Sequence, residues 1–341
     1  MVACKLSIKK IFDCIERDDK FKEFKTTYGL TPSDEMGGTK FAANFYKSAV
    51  VNYKGKVTGS KDLYSEVIAE TLINDNFIKD WLNLIPVRPE HFKINHPNTD
   101  ENVNALKITN RKEEILAKLL FYQHEVAGLG YIFDYQTPLK KIRNDSYGKI
   151  DLLGYNTDDK CYSVIELKYR PSGSEETLLR CVLEAYTYYR LLDIKQINSA
   201  KEHEGIQQLK KLHGYKHTNE TELVVLFDER SCAKEDGGAE TNLMLRIDPN
   251  KPNTPSYPSK TVVSQQFKEC KELIDSHKRK GLQTLCEEIL AQEPHLKQIR
   301  FVVLRVDTDS KSSYPTNING WSRKLDRLYQ AETLLTIPSK G

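Results

Sequence analysis

The chain has 341 residues, enough for two domains, and its 39% apolar and 29% charged residues are typical of a globular protein with a buried core. No apolar run approaches the roughly 20 residues that cross a bilayer, and the first residues lack the apolar core of a signal peptide. Seven scattered cysteines suit a reducing compartment, so we expect a cytoplasmic protein with no membrane association. The formal net charge of +3 permits nucleic-acid binding without requiring it.

The first part of the chain, residues 1–105, is predicted to form a mainly helical accessory domain. Amphipathic spacing predicts helices over 5–25 and 61–84, and the polar, proline-containing stretch 95–100 is typical of a linker. This part contains no catalytic constellation. It would bind a protein partner, mediate formation of a homo-oligomer, or complete the fold.

The second part, residues 106–341, is predicted to form an α/β domain with a mixed central sheet flanked by helices and with a C-terminal extension. Apolar residues at helical spacing and short runs rich in β-branched residues predict its elements. In chain order these are a helix over 110–129, a strand over 131–141, two strands of a hairpin, a helix over 174–192, a strand over 222–228, one or two helices over 261–292 and a strand over 300–307.

The hairpin brings two acidic side chains face to face. A turn centred between Asp158 and Asp159 places Asp151 directly opposite Glu166. Lys168 shares their face, because side chains on a strand alternate between the two faces. Carboxylates about 4.5–5.5 Å apart between Cβ atoms repel each other, so the pattern predicts a cation between them.

An alternative interpretation needs no metal. Glu166 and Lys168 could form an ion pair at the strand end, with Asp151 hydrogen-bonded into the turn. The acidic-x-lysine spacing recurs elsewhere in the chain and identifies nothing by itself. What distinguishes this occurrence is its position at the end of an apolar strand, opposite a second carboxylate and before a helix, where an unpaired charge is costly.

These residues, in an order of helix, three strands, helix and strand over roughly residues 110–230, resemble the PD-(D/E)XK nuclease superfamily. The resemblance implies a restriction-endonuclease-like core. It also implies that Asp151 is the first metal-binding aspartate, and that Glu166 and Lys168 are the acidic residue and the lysine of the second motif. The chain has Ile150 where the motif has proline.

The resemblance implies two further metal ligands. One is the backbone carbonyl of Leu167. The other is a glutamate of the first helix, for which Glu113 has suitable spacing and Glu114 is the neighbour that would serve in a shifted register. Glu113 has an equally good alternative role, because Asn110 and Glu113 also form the pattern of a helix capping box.

Four residues are candidate contacts to nucleic acid, namely Lys149, Arg170, Arg180 and Tyr188. Lys149 and Arg170 are basic residues beside the hairpin. Tyr188 follows Glu184 by four residues, where a subset of the superfamily has glutamine and tyrosine at that spacing. Solvated basic faces and ordinary packing of a tyrosine-rich helix are the alternatives.

The residue types favour phosphodiester hydrolysis. Carboxylates such as Asp151 and Glu166 are hard ligands for Mg²⁺, with Mn²⁺ as a substitute, and the Lys168 ammonium would offset charge that builds up on phosphorus. We therefore expect a metal-dependent nuclease acting on nucleic acid, DNA in preference to RNA. By resemblance, its role would lie in restriction or anti-phage defence. The alternative is a non-catalytic module that uses the same fold to bind nucleic acid or a protein.

Overall fold

The computed structural model describes the chain over several separate ranges. They are residues 5–7, 35–37, 43, 45–47, 51, 64–74, 78–79, 85, 87–88, 112–139, 147–169, 176–228, 281–306 and 328–340. The strands are β1 (Lys5–Ser7), β2 (Glu35–Gly37), β3 (Glu125–Val126), β4 (Gly130–Pro138), β5 (Lys149–Asn156), β6 (Cys161–Lys168), β7 (Thr221–Asp228), β8 (Leu296–Val306) and β9 (Tyr329–Pro338). The helices are α1 (Tyr64–Asn74), α2 (Lys112–Gln123), α3 (Leu178–Leu191), α4 (Ile194–Ser199), α5 (Glu204–Lys210) and α6 (Leu282–Gln292), with a single 3-10 turn at Phe45–Lys47.

A seven-stranded mixed sheet organises the described fold, and its strands lie side by side in sequence order from β3 to β9. Strands β3 to β6 are antiparallel neighbours, and short turns join β3 to β4 and β5 to β6. Strands β6, β7 and β8 are parallel, and α3 lies in the crossover from β6 to β7, while β9 returns antiparallel to β8. The prediction of a mixed central sheet with flanking helices is confirmed at this level.

The sheet curls until its two edges meet. An isolated bridge joins Ala127, beside the β3 edge, to Gln330 in β9, and the N–H of Ala331 donates to the carbonyl oxygen of Ala127 at 2.7 Å. Gly128 permits this approach, since its φ is +77° and a Cβ atom there would lie 2.1 Å from the carbonyl oxygen of Ala331. The curl leaves a concave face that receives α2.

Apolar side chains cover both faces of the sheet, as expected for buried central strands. On the concave face, Leu116 of α2 packs in one cluster with Leu152 of β5. On the opposite face, Val182 of α3 packs with Leu153 and Val225, and α1, α5 and α6 extend the same layer. Within the ranges given above, no helix has both the length and the apolar character that crossing a membrane requires.

Helix α2 is shorter than the predicted helix over 110–129. It ends at Gln123 because His124 takes a left-handed backbone conformation with φ of 59°, which a continuing helix does not allow. The next residues pair with β4 as β3, so Val126 lies in a strand and Leu129 in a turn. Both residues remain buried, and this burial explains their apolar character. Strand β9 was not predicted.

The described parts of residues 1–105 contain strand as well as helix. Lys5–Ser7 pairs antiparallel with Glu35–Gly37, so the helix predicted from residue 5 is wrong at its start, and residues 8–25 lie outside the described ranges. Helix α1 falls within the helix predicted over 61–84.

The described segments from residue 43 to residue 85 pack on the α3 side of the sheet. The 3-10 turn buries Phe45 and Tyr46 in the cluster that contains α3. The backbone N–H of Leu282, at the start of α6, donates to Oε2 of Glu66 in α1 at 2.8 Å. The boundary near residue 105 stays a prediction.

Candidate functional site

The hairpin has the predicted register. Paired residues run from Asn156 and Cys161 beside the turn to Leu152 and Ile165. Asp151 and Glu166 are the next residue on each strand, so this register directs them toward each other. Asn156 sets the turn locally, because its Oδ1 atom accepts hydrogen bonds from the backbone N–H groups of the second and third residues that follow it. A four-residue connection therefore fixes which carboxylates face each other at the far end of the strands.

Asp151 is held by two hydrogen bonds at the point where β6 ends. Its Oδ2 atom accepts from the backbone N–H of Leu167 at 2.9 Å, and its Oδ1 atom accepts from Nε2 of Gln136 at 3.0 Å. Gln136 has φ of 50°, and its Oε1 atom accepts from Nζ of Lys149 at 3.5 Å. The carboxylate is thus oriented by neighbouring strands before any ligand arrives.

The Lys168 ammonium lies among three glutamates. It contacts Oε1 of Glu166 directly, Oε2 of Glu176 at 2.7 Å and Oε2 of Glu184 at 3.3 Å. Glu184 comes from α3, and Glu176 immediately precedes the Thr177 residue that caps that helix. Strand β6 and helix α3 together form this part of the site.

Two more side chains complete what we call the acidic cluster. Oε2 of Glu113, in the first turn of α2, accepts from the backbone N–H of Tyr169 at 3.0 Å, so at least this oxygen caps the end of β6. Arg180 lies 3.1 Å from Glu176 and 4.0 Å from Glu184. The cluster comprises five carboxyl groups and two basic groups, namely Glu113, Asp151, Glu166, Glu176, Glu184, Lys168 and Arg180.

Burial and the excess of acidic groups make negative charge costly in the cluster. Burial, then the charge of Glu113, raises the pKa of Asp151 to about 8. Burial, then the charge of Glu184, raises the pKa of Glu166 well above its ordinary value, and burial also raises the pKa of Glu113. A cation bound here would relieve this cost.

The pKa shifts of Lys168 and Glu184, by contrast, favour the charged form of each side chain. Burial alone would lower the pKa of Lys168, but the charges of Glu166, Glu184 and Glu176 outweigh it and raise the pKa well above the ordinary value. Burial alone would raise the pKa of Glu184, but Lys168 and Arg180 lower it. Lys168 is therefore an ammonium ion paired with an ionised Glu184, and it cannot serve as a general base at neutral pH.

Glu166 has a carboxyl oxygen that suits a cation. The residue is 2% exposed, and its carboxyl group is within hydrogen-bonding reach of that of Glu184. No N–H or hydroxyl donor of the described residues reaches its Oε2 atom. Over the same residues, no group of three or more His, Cys, Asp or Glu side chains is arranged as metal ligands. Two carboxylates nevertheless fit Mg²⁺, which binds through one or two carboxylates and keeps several waters. Asp151 and Glu166 are the residues that would hold it.

The other predicted site residues differ in how exposed their side chains are and in what they contact. Leu167 donates its N–H to Asp151, and the role of its carbonyl as a ligand stays a prediction. The side chain of Lys149 is 40% exposed, and that of Arg180 is 24% exposed with its charge directed to glutamates. Tyr188 is 5% exposed and donates to Oε1 of Glu184 at 2.8 Å, so its hydroxyl points into the protein. Arg170 lies outside the described residues.

Sequence reasoning missed three contributors to the site. Glu176 and Gln136 carry no motif, and their roles depend on contacts between separate elements. Tyr46 comes from the 3-10 turn, and its hydroxyl lies 3.1 Å from that of Tyr188. Glu184 was noticed only as a replacement for glutamine. Glu184 and Tyr188 are four residues apart and therefore share one face of the helix. This spacing was the signal that could have identified both as part of the site.

A scan against protein-family models finds no matching family, and searches of curated proteins and of solved structures find no significant match. The resemblance to the PD-(D/E)XK superfamily therefore stays a prediction. The assignment of the site rests on the contacts around Asp151, Glu166 and Lys168.

Proposed function

We propose that the protein is a Mg²⁺-dependent nuclease that hydrolyses phosphodiester bonds of nucleic acid, with DNA favoured over RNA by the resemblance. The observation that carries the proposal is the convergence of Asp151, Glu166 and Lys168 at one end of the hairpin. The raised pKa values of both acids support it, because they identify a place where a divalent cation would be stabilised.

The strand order supports a restriction-endonuclease-like core as part of the same proposal. Helix α2 is followed by three strands, β4 to β6, then by α3 and the parallel strand β7, apart from the two-residue β3. The cluster lies where β6 ends, beside a parallel neighbour. The carboxyl ends of parallel strands are frequent positions for ligand sites in open α/β sheets.

Each residue has a separate part in the proposed reaction. Asp151 and Glu166 would hold Mg²⁺, and the ion would polarise the phosphoryl group and acidify a bound water. Lys168, protonated and held by Glu184, places positive charge beside these acids, where it would stabilise negative charge on the phosphate in the transition state. The hydrogen bonds from Leu167 and Gln136 orient Asp151 in advance, which reduces the reorganisation that the reaction requires.

A second candidate function is a non-catalytic module with the same fold. One observation favours it: Glu166, Glu176 and Glu184 already surround the Lys168 ammonium. Such a closed set of ion pairs stabilises a strand end without any metal. This module would bind nucleic acid or a protein partner.

A cleavage assay separates the two candidates. Purified protein is incubated with single- and double-stranded DNA and with RNA, in Mg²⁺, in Mn²⁺ or with a chelator, and binding is measured in parallel. Lys168→Ala tests the site. Lys297→Ala is the matched control, because that half-buried lysine donates to the carbonyl oxygen of Asp159 at the opposite end of the hairpin.

The proposal expects cleavage that requires a divalent ion, that is lost in Lys168→Ala and that persists in Lys297→Ala, with nucleic-acid binding retained in both. Binding without cleavage by the wild-type protein on every substrate would support the non-catalytic module. Equal cleavage by Lys168→Ala and the wild type would remove the lysine from the mechanism.

A further inference from the structure

A chain of hydrogen bonds runs from the N-terminal part of the protein into the acidic cluster. The hydroxyl of Tyr46 lies 3.1 Å from the hydroxyl of Tyr188, which donates to Oε1 of Glu184 at 2.8 Å. Oε2 of the same carboxylate accepts from Nζ of Lys168 at 3.3 Å. Tyr46 lies 142 positions before Tyr188, so no local pattern predicts the link.

The direction of each hydrogen bond follows from the proton count. Tyr188 has one hydroxyl proton and uses it on Glu184, so Tyr46 must be the donor in the bond between the two tyrosines. Burial raises the pKa of both hydroxyls, so both are protonated at neutral pH. Donation by Tyr46 polarises the Tyr188 hydroxyl and strengthens its bond to the carboxylate.

Packing holds the two tyrosines in place. Their rings meet edge to face with centroids 5.7 Å apart, and Tyr46 is 1% exposed. On the other side of Tyr188 the backbone of Gly148 comes so close that a Cβ atom there would lie 2.6 Å from the hydroxyl oxygen. Tyr188 therefore has little freedom to turn away from Glu184.

We propose that Tyr46 is a positioning residue of the nuclease site, and that it acts through Tyr188 and Glu184 to fix the Lys168 ammonium beside Glu166. This inference rests on the proposed function. It makes the N-terminal part of the chain a component of the site, because one link of the hydrogen-bond chain comes from the 3-10 turn. The Tyr46 hydroxyl bonds to Tyr188 and not to Lys168 or the acids that would hold the metal, so its effect on the reaction is indirect.

Tyr46→Phe tests the inference with little change in shape, since the ring stays and one hydroxyl is lost. We expect kcat for metal-dependent cleavage to fall about tenfold with KM nearly unchanged, because Lys168 is misplaced while the substrate surface is intact. Tyr186→Phe is the matched control. Tyr186 lies on the same helix, is fully buried and donates to Oε1 of Glu293 at 2.9 Å, away from the cluster.

A double-mutant cycle separates positioning from a merely structural role. If Tyr46 acts through Glu184, its substitution should have little further effect on kcat in a Glu184→Gln background, whereas the effects of Tyr186→Phe and Glu184→Gln should be additive. Tyr188→Phe breaks the same chain one bond nearer the site. It replaces Tyr46→Phe in the cycle if thermal melting shows that the latter is unfolded at the assay temperature.

The outcomes are distinguishable. Loss of kcat in Tyr46→Phe that is not additive with Glu184→Gln supports the inference. Wild-type kcat in Tyr46→Phe, or strict additivity with Glu184→Gln, overturns the positioning role while leaving the nuclease proposal intact. Absence of any metal-dependent cleavage by the wild-type protein overturns both.

Discussion

The two ends of the β5–β6 hairpin both bury charged side chains, but the ratio of acidic to basic groups differs between them. At the turn end, Glu222 of β7 is fully buried and pairs with Arg300, which is 7% exposed. At the other end, five carboxyl groups share two basic groups, and Oε2 of Glu166 has no N–H or hydroxyl donor among the described residues. The same sheet thus contains one network in which an acidic and a basic side chain are paired, and one cluster in which acidic side chains outnumber basic ones.

Every carboxyl oxygen of Glu222 has partners. Oε1 accepts from Ser163 at 2.7 Å and from Arg300 at 3.0 Å, and Oε2 accepts from Gln298 at 2.7 Å. Asn156 donates to both oxygens at 3.3 Å. A buried ion pair with this many hydrogen bonds fixes the relative position of β6, β7 and β8, and it leaves no oxygen for a ligand.

The contrast separates structural from functional burial of charge. A carboxylate with both oxygens hydrogen-bonded, such as that of Glu222, stabilises the position of its strands, whereas an excess of buried acidic groups lowers stability unless something else binds. Natural folds keep such costs where they serve function. On this basis the acidic cluster, and not the Glu222 network, is the candidate site.

The largest expected effect tests the acidic end. Glu166→Gln removes a hard, charged ligand at nearly constant shape, so metal-dependent cleavage should fall about a thousandfold. The melting temperature should fall little, because burial disfavours the charged form of Glu166 and offsets much of what its contact with Lys168 contributes. Cleavage rates and thermal melting measure the two quantities. A variant that melts several degrees lower while still cutting would assign Glu166 to structure instead.

The next largest effect tests the balanced end. Glu222→Ala leaves the Arg300 guanidinium buried without its carboxylate, so the free energy of unfolding should fall by about 3 kcal/mol or more, measured by denaturant titration. Cleavage per folded molecule should be unchanged. The double variant Glu222→Ala with Arg300→Leu should recover part of the loss, since it removes the unpaired charge. Stability lost without recovery would mean that the carboxylate does more than balance Arg300.

Local signals were enough to predict the hairpin. The turn residues and the alternation of apolar side chains determine the register, and the facing of Asp151 and Glu166 follows from it. The end of α2 was not predictable in the same way, because buried apolar residues such as Val126 continue past the helix into β3. Apolar character reports burial, and it distinguishes helix from strand only over longer windows.

The rest of the site depends on contacts between distant segments. Glu176 has no motif, and only the packing of α3 against β6 brings it to Lys168. Tyr46 reaches Tyr188 from a segment whose sequence shows no catalytic pattern. The acidic pair and the lysine lie in one hairpin, so local patterns were enough to predict them. The residues that hold them come from distant segments, and one sequence does not show which segments pack together.

A smaller effect tests the packing of Tyr188. Gly148→Ala would place a Cβ atom 2.6 Å from the Tyr188 hydroxyl and move it away from Glu184. Stability should fall by about 1–3 kcal/mol, and cleavage by about tenfold. Gly154→Ala, in β5 beyond the site, is the control. Its Cβ atom would meet the end of the Ile132 side chain at 3.2 Å, so stability should fall less and cleavage should persist. Equal cleavage by both variants would separate Tyr188 from the mechanism.

The last expected effect concerns stability alone, and it is a dependence on pH. Burial, then the charge of Glu113, raises the pKa of Asp151 to about 8, while the unfolded chain titrates near its ordinary value of about 4. Between these values the folded protein holds a proton that the unfolded chain has released. Metal-free stability should therefore fall as pH rises through this window, and denaturant titrations in chelator at several pH values measure the slope.

Asp151→Asn should make that slope shallower, because the amide does not titrate, while the raised pKa values of Glu166 and Glu113 maintain part of it. Asp158→Asn, at an exposed position of the hairpin turn, is the matched control for the loss of one carboxylate. If Asp151→Asn and the wild type have the same slope, Asp151 is already ionised in the folded protein. The acidic cluster would then be as well balanced as the Glu222 network, and the physical difference between the two ends of the hairpin would be lost.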